Sequence, residues 1–253
     1  MIKPPITLEA VIFDWGGTLA EYATIELEDM WRLAARHLNL QQPQKSPGHA
    51  RWEERELVAR LAQVEVDFWA TTATHQRAGT LTDLLRAATE ALDMDVTEAV
   101  LEEAATQYLD AWTPHIRHEP DAGDTLRALR RRGLRIGLLS NTHWPRTFHE
   151  HFLARDGLAR LIDVRLYTSE LHVMKPHPEA FRAALEAVGV TDPARAVFVG
   201  DRPFDDIFGA QRSGLRSVLR TNPEVPPYDV TPDAVIDRLF ELVEVIDRWQ
   251  GHS

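Results

Sequence analysis

Residues 10–19 read A-V-I-F-D-W-G-G-T-L, an apolar run that stops at Asp14 and turns at once through Gly16 and Gly17. A short apolar run bounded by turn residues is the pattern of a buried parallel strand. A carboxylate at the C-terminal end of such a strand stands where open α/β sheets place their ligands. The two glycines let the backbone turn sharply and approach a bound group. Three more segments complete the same site. Residues 134–142, L-R-I-G-L-L-S-N-T, end a second apolar run in Ser140 and Asn141. Lys175 lies in V-M-K-P-H-P-E-A-F, where Pro176 and Pro178 confine the chain before an amphipathic helix. Residues 196–214, A-V-F-V-G-D-R-P-F-D-D-I-F-G-A-Q-R-S-G, end a third run in Gly200-Asp201, with Asp205 and Asp206 close behind.

Working outward, apolar or β-rich runs are expected as strands at 11–13, 136–139, 164–167, 196–199, 217–219 and 234–236. Helical patterns fill the intervals at 122–131, 178–188, 206–213 and 238–249. Strands alternating with helices imply a parallel sheet covered on both faces, a Rossmann-like three-layer α/β core. Asp14, Ser140 and Asp201 then fall along one edge of that sheet. Residues 22–113 break the alternation. They carry no strand pattern but four helical stretches, near 26–38, 50–71, 81–92 and 97–111, separated early by the loop chemistry of Q-Q-P-Q-K-S-P-G at 41–48. Leu27, Met30, Trp31, Ala34 and Leu38 follow i, i+3, i+4 spacing in the first. The expected organisation is therefore a core of residues 1–21 and 114–253 carrying an all-helical insertion at 22–113. Trp31, Trp52, Phe68, Trp69, Tyr108 and Trp112 are expected to form mainly the packing core of that insertion.

Charge and composition exclude several functions. Lysine and arginine number 28 against 39 aspartates and glutamates, a formal charge of −11 without an acidic block, which argues against nucleic-acid or anionic-membrane binding. The absence of cysteine excludes disulfides, thiolate catalysis and cysteine-ligated zinc. No stretch approaches 18 apolar residues and the first residues lack a signal core, so a cytoplasmic enzyme, monomeric or homodimeric, is the expectation. Lysine occurs only at Lys3, Lys45 and Lys175, which makes Lys175 conspicuous. His143, His149, His151, His172 and His177 show no metal-binding spacing and are read as solvated.

The four segments, in this order and over nearly the whole chain, resemble the motifs of the haloacid dehalogenase-like hydrolases, and the insertion is similar to the helical cap of many of them. The resemblance implies an Mg²⁺-dependent phosphatase acting on a small phosphorylated metabolite through an aspartyl-phosphate. Asp14 is then the nucleophile, and Lys175 balances charge at the nucleophile and the transferring group. Ser140, Asn141, Gly17 and Thr18 serve the phosphoryl group and its loop. Asp14, the backbone carbonyl of Gly16 and Asp201 are the expected metal ligands. The D-I-F-G-A pattern favours Asp206 as the further acidic residue and the G-D-x-x-x-D spacing favours Asp205, so both stay open.

One position departs from the family pattern. Phosphatases of this family carry a second aspartate two residues after the nucleophile as general acid and base, and here Gly16 stands there. Such catalysis contributes about 10²–10⁴-fold, or roughly 3–5 kcal/mol, unless a cap Glu or His supplies the proton. Two relatives also lack that aspartate. Phosphonoacetaldehyde hydrolases use a cap lysine, for which Lys45 is the only candidate here. The 2-haloacid dehalogenases attack carbon and have no need of the acidic metal-binding residues that this chain retains. A binding or regulatory protein with little turnover is the alternative of another class.

Overall fold

The computed structural model describes residues 7–21, 25–41 and 52–251, without the side chains of 72 and 73. Six strands, β1 (Ala10–Phe13), β2 (Arg135–Ser140), β3 (Val164–Tyr167), β4 (Ala196–Gly200), β5 (Arg216–Arg220) and β6 (Ala234–Ile236), form one sheet in the order β3-β2-β1-β4-β5-β6. Every neighbouring pair is parallel. The helices are α1 (Leu27–Gln41), α2 (Glu54–His75), α3 (Leu81–Ala91), α4 (Glu98–Trp112), α5 (Ala122–Arg131), α6 (Arg146–Arg155), α7 (Pro178–Val188), α8 (Gly209–Arg212) and α9 (Glu241–Gln250).

The two-residue alternation of a strand decides which side chain faces which layer. Val11 and Phe13 of β1 join Leu138, Val199 and the α5 and α9 residues Leu126 and Leu242 on one face. Ala10 and Ile12 join Phe198 and the α7 residues Phe181 and Leu185 on the other. All four β1 side chains are completely buried, so each large one contributes about 1.5–3 kcal/mol. Burial on both faces is why these strands read as unbroken apolar runs.

Between β1 and α5, helices α1–α4 pack on one another around Trp31, Leu38, Leu57, Leu61, Leu85, Leu101 and Tyr108, a core separate from those of the sheet. α3 starts in a reciprocal cap, with the Thr80 hydroxyl accepting from Asp83 N and the Asp83 carboxylate accepting from Thr80 N. The α2–α3 connection is tied to the segment before Lys175: Met174 N donates to Gln76 O at 3.1 Å, and Ala78 N to His172 O at 3.3 Å. Leu81 N donates to His143 O at 2.7 Å, joining α3 to the loop after β2. The helical layer thereby stands over the C-terminal ends of β1 and β2. Among the described residues, no helix is long and apolar enough to cross a membrane.

Two sequence expectations need adjustment. The helix expected at 206–213 begins as a wide π-type turn, Pro203–Phe208, and becomes α-helical only at Gly209. Helix α6 (Arg146–Arg155) is absent from the expected intervals, because His149, Glu150 and His151 mask its apolar spacing.

Candidate active site

Parallel register brings the motif residues together. Phe13 pairs with Leu138 on one side and Val199 on the other, so Asp14, Ser140 and Asp201 all emerge at the same sheet edge. One further ladder bond, Asp14 N to Val199 O at 2.8 Å, fixes the backbone of Asp14. The chain then folds back, with Ala20 N donating to Trp15 O at 2.7 Å and Gly17 N to Ala20 O at 2.8 Å. Gly17 has φ +79°, and a Cβ there would overlap the Asp201 carboxylate. Glycine is required at this point by conformation and by space together. Gly200 makes room in the same way, since a Cβ on it would overlap the side chain of Asp206.

Oxygen atoms of Asp14, Asp201 and Asp206 lie within 4.8 Å of one another, and all three residues are buried. Lys175 is buried with them, its Nζ donating to Asp14 Oδ1 at 2.6 Å and to Asp206 Oδ1 at 2.7 Å. The ammonium thus bridges two of the three carboxylates, and Asp201 stands beside them without a bond to it. Burial raises the Asp14 carboxyl to about 7 against the pull of Lys175, with Asp206 and Asp201 adding to the rise. Asp201 is raised by burial and by Asp206. Burial opposes the charge of Lys175, but Asp14 and Asp206 outweigh it and push the lysine above its ordinary range. A set of oxygen donors with more negative than positive charge suits a hard divalent cation.

Asp205 and Asp206 occupy different places. The wide turn directs Asp206 into the cluster, where its Oδ2 also accepts from Arg202 N at 2.9 Å. Asp205 is outside the cluster but lines the adjoining cavity. Burial raises its carboxyl to about 6, with Asp206 as the next cause.

The remaining expected residues surround this centre. Ser140 is buried at the strand end, and among the described residues no hydrogen bond engages its hydroxyl. Asn141 donates from Nδ2 to Lys175 O and accepts from Lys175 N at Oδ1, both at 2.9 Å, so its amide positions the lysine segment. The Thr18 hydroxyl approaches Asp201 Oδ1 at 3.5 Å. Gly17 O accepts from Arg220 Nη1 at 2.5 Å. Gly16 is exposed and lines the cavity, and a Cβ added to it would meet nothing within 4 Å. Lys45 falls outside the described residues.

Several residues that shape the site have no motif. Asn222, beyond β5, donates to Asp201 Oδ2 at 2.7 Å and orients it. Trp15 donates through Nε1 to His118 Nε2 at 3.1 Å, while His118 Nδ1 donates to Asp156 Oδ2 at 2.6 Å. This chain of bonds pins the indole beside Asp14, and burial keeps His118 below its ordinary range.

A cavity of about 770 Å³ runs from Asp14 and Lys175 to the helical layer. Trp15, Trp69, Trp112, Trp144, Phe204 and Tyr228 supply its aromatic surface, and Glu65 and His143 line it from opposite layers. One sequence expectation fails here. Trp31 and Tyr108 are buried packing residues, as expected, and Trp112 packs against the same helical core, while Trp69 and Trp112 also line the cavity. His143 and His149 are not solvated: they are 3% and 1% exposed, and burial drops each to about 3. Neither has a sequence signature, because the residues that bury them come from α2, β3 and the loop after β1. His149 stacks on Tyr167 at 4.6 Å and meets Trp15 edge-on at 4.5 Å.

A parallel α/β sheet whose edge gathers three carboxylates and a buried lysine defines a hydrolase-type centre. Consistent with this, residues 8–214 match the haloacid dehalogenase-like hydrolases, and the chain belongs to that family. Among curated proteins it is 27% identical over 164 residues to a glyceraldehyde 3-phosphate phosphatase of Pyrococcus furiosus, covering 63% of this chain and 67% of that one. It is 36% identical over 126 residues to a phosphoserine phosphatase of Thermus thermophilus, covering 49% of each. The matches therefore span about half to two thirds of these relatives. Among solved structures, a 2-haloacid dehalogenase from Pseudomonas syringae superposes with a TM-score of 0.67 at 25% identity, over 96% of this chain and 99% of the other.

Proposed function

We propose that this chain is an Mg²⁺-dependent phosphatase for a small phosphorylated metabolite, with residues 22–113 as a helical cap over a core of 1–21 and 114–253. The observation that carries the reading is the buried cluster of Asp14, Asp201 and Asp206 around Lys175, at one end of a cavity large enough for a small organic phosphate. The phosphatase names of the two curated relatives support the reaction class.

Asp14, the Gly16 carbonyl, Asp201 and Asp206 would hold the cation. When bound, Mg²⁺ supplies positive charge that draws phosphoryl oxygens toward the carboxylate edge and lowers the repulsion between anionic nucleophile and anionic ester. A carboxylate oxygen of Asp14 attacks phosphorus in line, the bond to the leaving oxygen breaks, and an aspartyl-phosphate forms on Asp14. The leaving oxygen departs as its anion and takes a proton from solvent. Water then attacks that phosphorus and gives up a proton to solvent. The bond from phosphorus to Asp14 breaks, releasing inorganic phosphate and restoring the carboxylate. Lys175 offers a fixed positive charge next to Asp14 throughout, and the Ser140 hydroxyl donates to a phosphoryl oxygen. Asn141 keeps Lys175 in place. Gly16 offers no proton to the leaving group.

Dehalogenation is the second reading, favoured by Gly16 and by the dehalogenase superposition. The triad of carboxylates weighs against it, because attack on carbon gives such a cluster no task. Phosphate release from a panel of phosphate esters, with and without Mg²⁺, tests the proposal, alongside halide release from 2-haloacids. Mg²⁺-dependent phosphate release lost in Asp14→Asn is the expected result. Halide release without phosphate release rejects it.

A further inference from the structure

Glu65 lines the cavity, has no task in the proposed reaction, and sits in specialised surroundings. It lies on α2, is 4% exposed, and faces the same cavity as Asp14 from the helical layer. Trp31 Nε1 donates to its Oε2 at 2.8 Å, and the Tyr108 hydroxyl spans both oxygens at 3.0 and 2.9 Å. The Trp69 indole adds a further hydrogen bond. Trp31 and Tyr108 are themselves buried, 1% and 0% exposed, so they brace the carboxylate from behind. Aromatic contacts continue along the wall, from Tyr108 to Trp112 at 6.3 Å, Trp112 to Trp144 at 5.0 Å and Trp144 to Trp15 at 6.2 Å.

What Glu65 does not have is a cation. Among the described residues, no lysine or arginine pairs with it. Its charged-type neighbour is His143, Nε2 at 3.4 Å from Oε1, which burial keeps neutral at ordinary pH. Burial pushes the Glu65 carboxyl up to about 7 in spite of its hydrogen bonds. A buried carboxylate is ordinarily paired or avoided, since its desolvation is costly. Trp69, Trp112 and Trp144 line the cavity beside this carboxylate, and an organic cation held there gains from aromatic rings and the opposite charge together.

Resting on the phosphatase reading, we propose that Glu65 and the indoles of Trp69, Trp112 and Trp144 form a specificity pocket for an organic ammonium group on the leaving-group side of the substrate. The phosphoryl group then docks at Asp14 and Lys175, and the amine at the opposite end of the cavity. The substrate class is an aminoalkyl phosphate monoester. Glu65 is a recognition residue in this proposal and takes no proton-transfer step.

The test compares matched esters of equal length, an ω-ammonioalkyl phosphate and the corresponding alkyl and hydroxyalkyl phosphates. The wild type should favour the ammonium ester in kcat/KM by about 10- to 100-fold, the range of a charge-assisted contact. Glu65→Gln, which keeps an acceptor oxygen and the side-chain shape, should bring the three esters within about 3-fold of each other. An equal kcat/KM for the three esters in the wild type, or a preference that survives in Glu65→Gln, overturns the proposal. A steeper dependence on leaving-group pKa in Glu65→Gln overturns it too, since Glu65 would then be a proton donor. Binding to the wild type without turnover keeps the test independent of the variant's folding. An n-alkylammonium ion should change the tryptophan emission of the wild type and compete with the phosphate ester, whereas the neutral n-alcohol should do neither. Equal effects of ion and alcohol reject the pocket. Absence of phosphate release from every ester would instead count against the phosphatase reading, with the emission change still reporting on the pocket.

Discussion

Lys175 Nζ stands 2.6 Å from Asp14 Oδ1 inside the protein, both side chains almost fully buried, and the same ammonium reaches Asp206 Oδ1 at 2.7 Å. One lysine from the segment before α7 thus joins the end of β1 to the wide turn after β4. Removing this ammonium strands both of its buried carboxylate partners without compensation. For Lys175→Met the expected loss is about 3–5 kcal/mol of metal-free stability, read from urea denaturation at constant m-value. A loss below about 1 kcal/mol, the scale of an exposed pair, would mean that the carboxylates take up protons at little expense.

Asp14→Asn removes the proposed nucleophile while preserving its shape, so phosphate release should fall below a few per cent of wild type. It also reduces three neighbouring carboxylates to two against one ammonium. Metal-free stability should therefore hold or rise slightly in thermal denaturation. Activity well above a few per cent would exclude Asp14 as the attacking group.

Metal affinity should separate the neighbouring aspartates. Asp201→Ala and Asp206→Ala each remove a cluster oxygen and should weaken Mg²⁺ binding by about 10-fold or more in calorimetric titration. Asp205→Ala should change it less than about 3-fold, since Asp205 lies outside the cluster. Mg²⁺ at about 100 times its Kd should stabilise the wild type by about 2.7 kcal/mol. An Asp205→Ala effect as large as that of Asp206→Ala would contradict the geometry.

Gly16 should govern leaving-group chemistry. With no motif acid, aryl and acyl phosphates should turn over faster than alkyl phosphates, with a steep slope against leaving-group pKa. Nothing lies within 4 Å of a Cβ added at Gly16, so Gly16→Asp should be accommodated. It should flatten the slope and raise alkyl-ester turnover by about one to three decades. A flat slope in the wild type would place the proton donor elsewhere.

Acid should act on the fold through the buried histidines. His149 titrates at about 3 in the fold because burial disfavours its charged form, against about 6.5 when unfolded. Between those values the unfolded chain binds more protons, so stability falls as pH falls, by up to ~1.4 kcal/mol per pH unit for each such histidine. Glu65 acts in the opposite sense: its carboxyl is raised to about 7, so the folded chain binds more protons between that value and the unfolded value near 4.3. Comparing wild type with His149→Gln isolates the histidine. The wild type should lose about 2–3 kcal/mol relative to the variant between about pH 6.5 and 4.5. An unchanging difference over that interval would show His149 titrating normally.

Residues 10–14, 136–140 and 196–201 carry enough information to place their strands and the edge where they end. A strand buried on both faces must be apolar throughout, and the polar residue that ends it is visible by contrast. The parallel sheet and its neighbouring helices follow from that contrast, and the resemblance to the family rests on the four motifs in order. Helices α5 (Ala122–Arg131) and α7 (Pro178–Val188) are equally readable, the latter because Pro178 starts it and Gly189, at φ 73°, ends it. What lies beyond the sequence depends on direction in space. Whether Asp205 or Asp206 meets Lys175 depends on a wide turn whose geometry no residue spacing announces. His143 and His149 look polar in the sequence and are buried by rings from distant elements. Trp69 and Trp112 read as packing residues and also line a cavity, while Glu65 sits among ordinary helix-surface residues in the sequence and is enclosed by Trp31 and Tyr108 from two other helices. Periodicity reports the environment along one strand or helix. The enclosure of a single side chain is decided by which other elements close over it, and only the tertiary structure contains that.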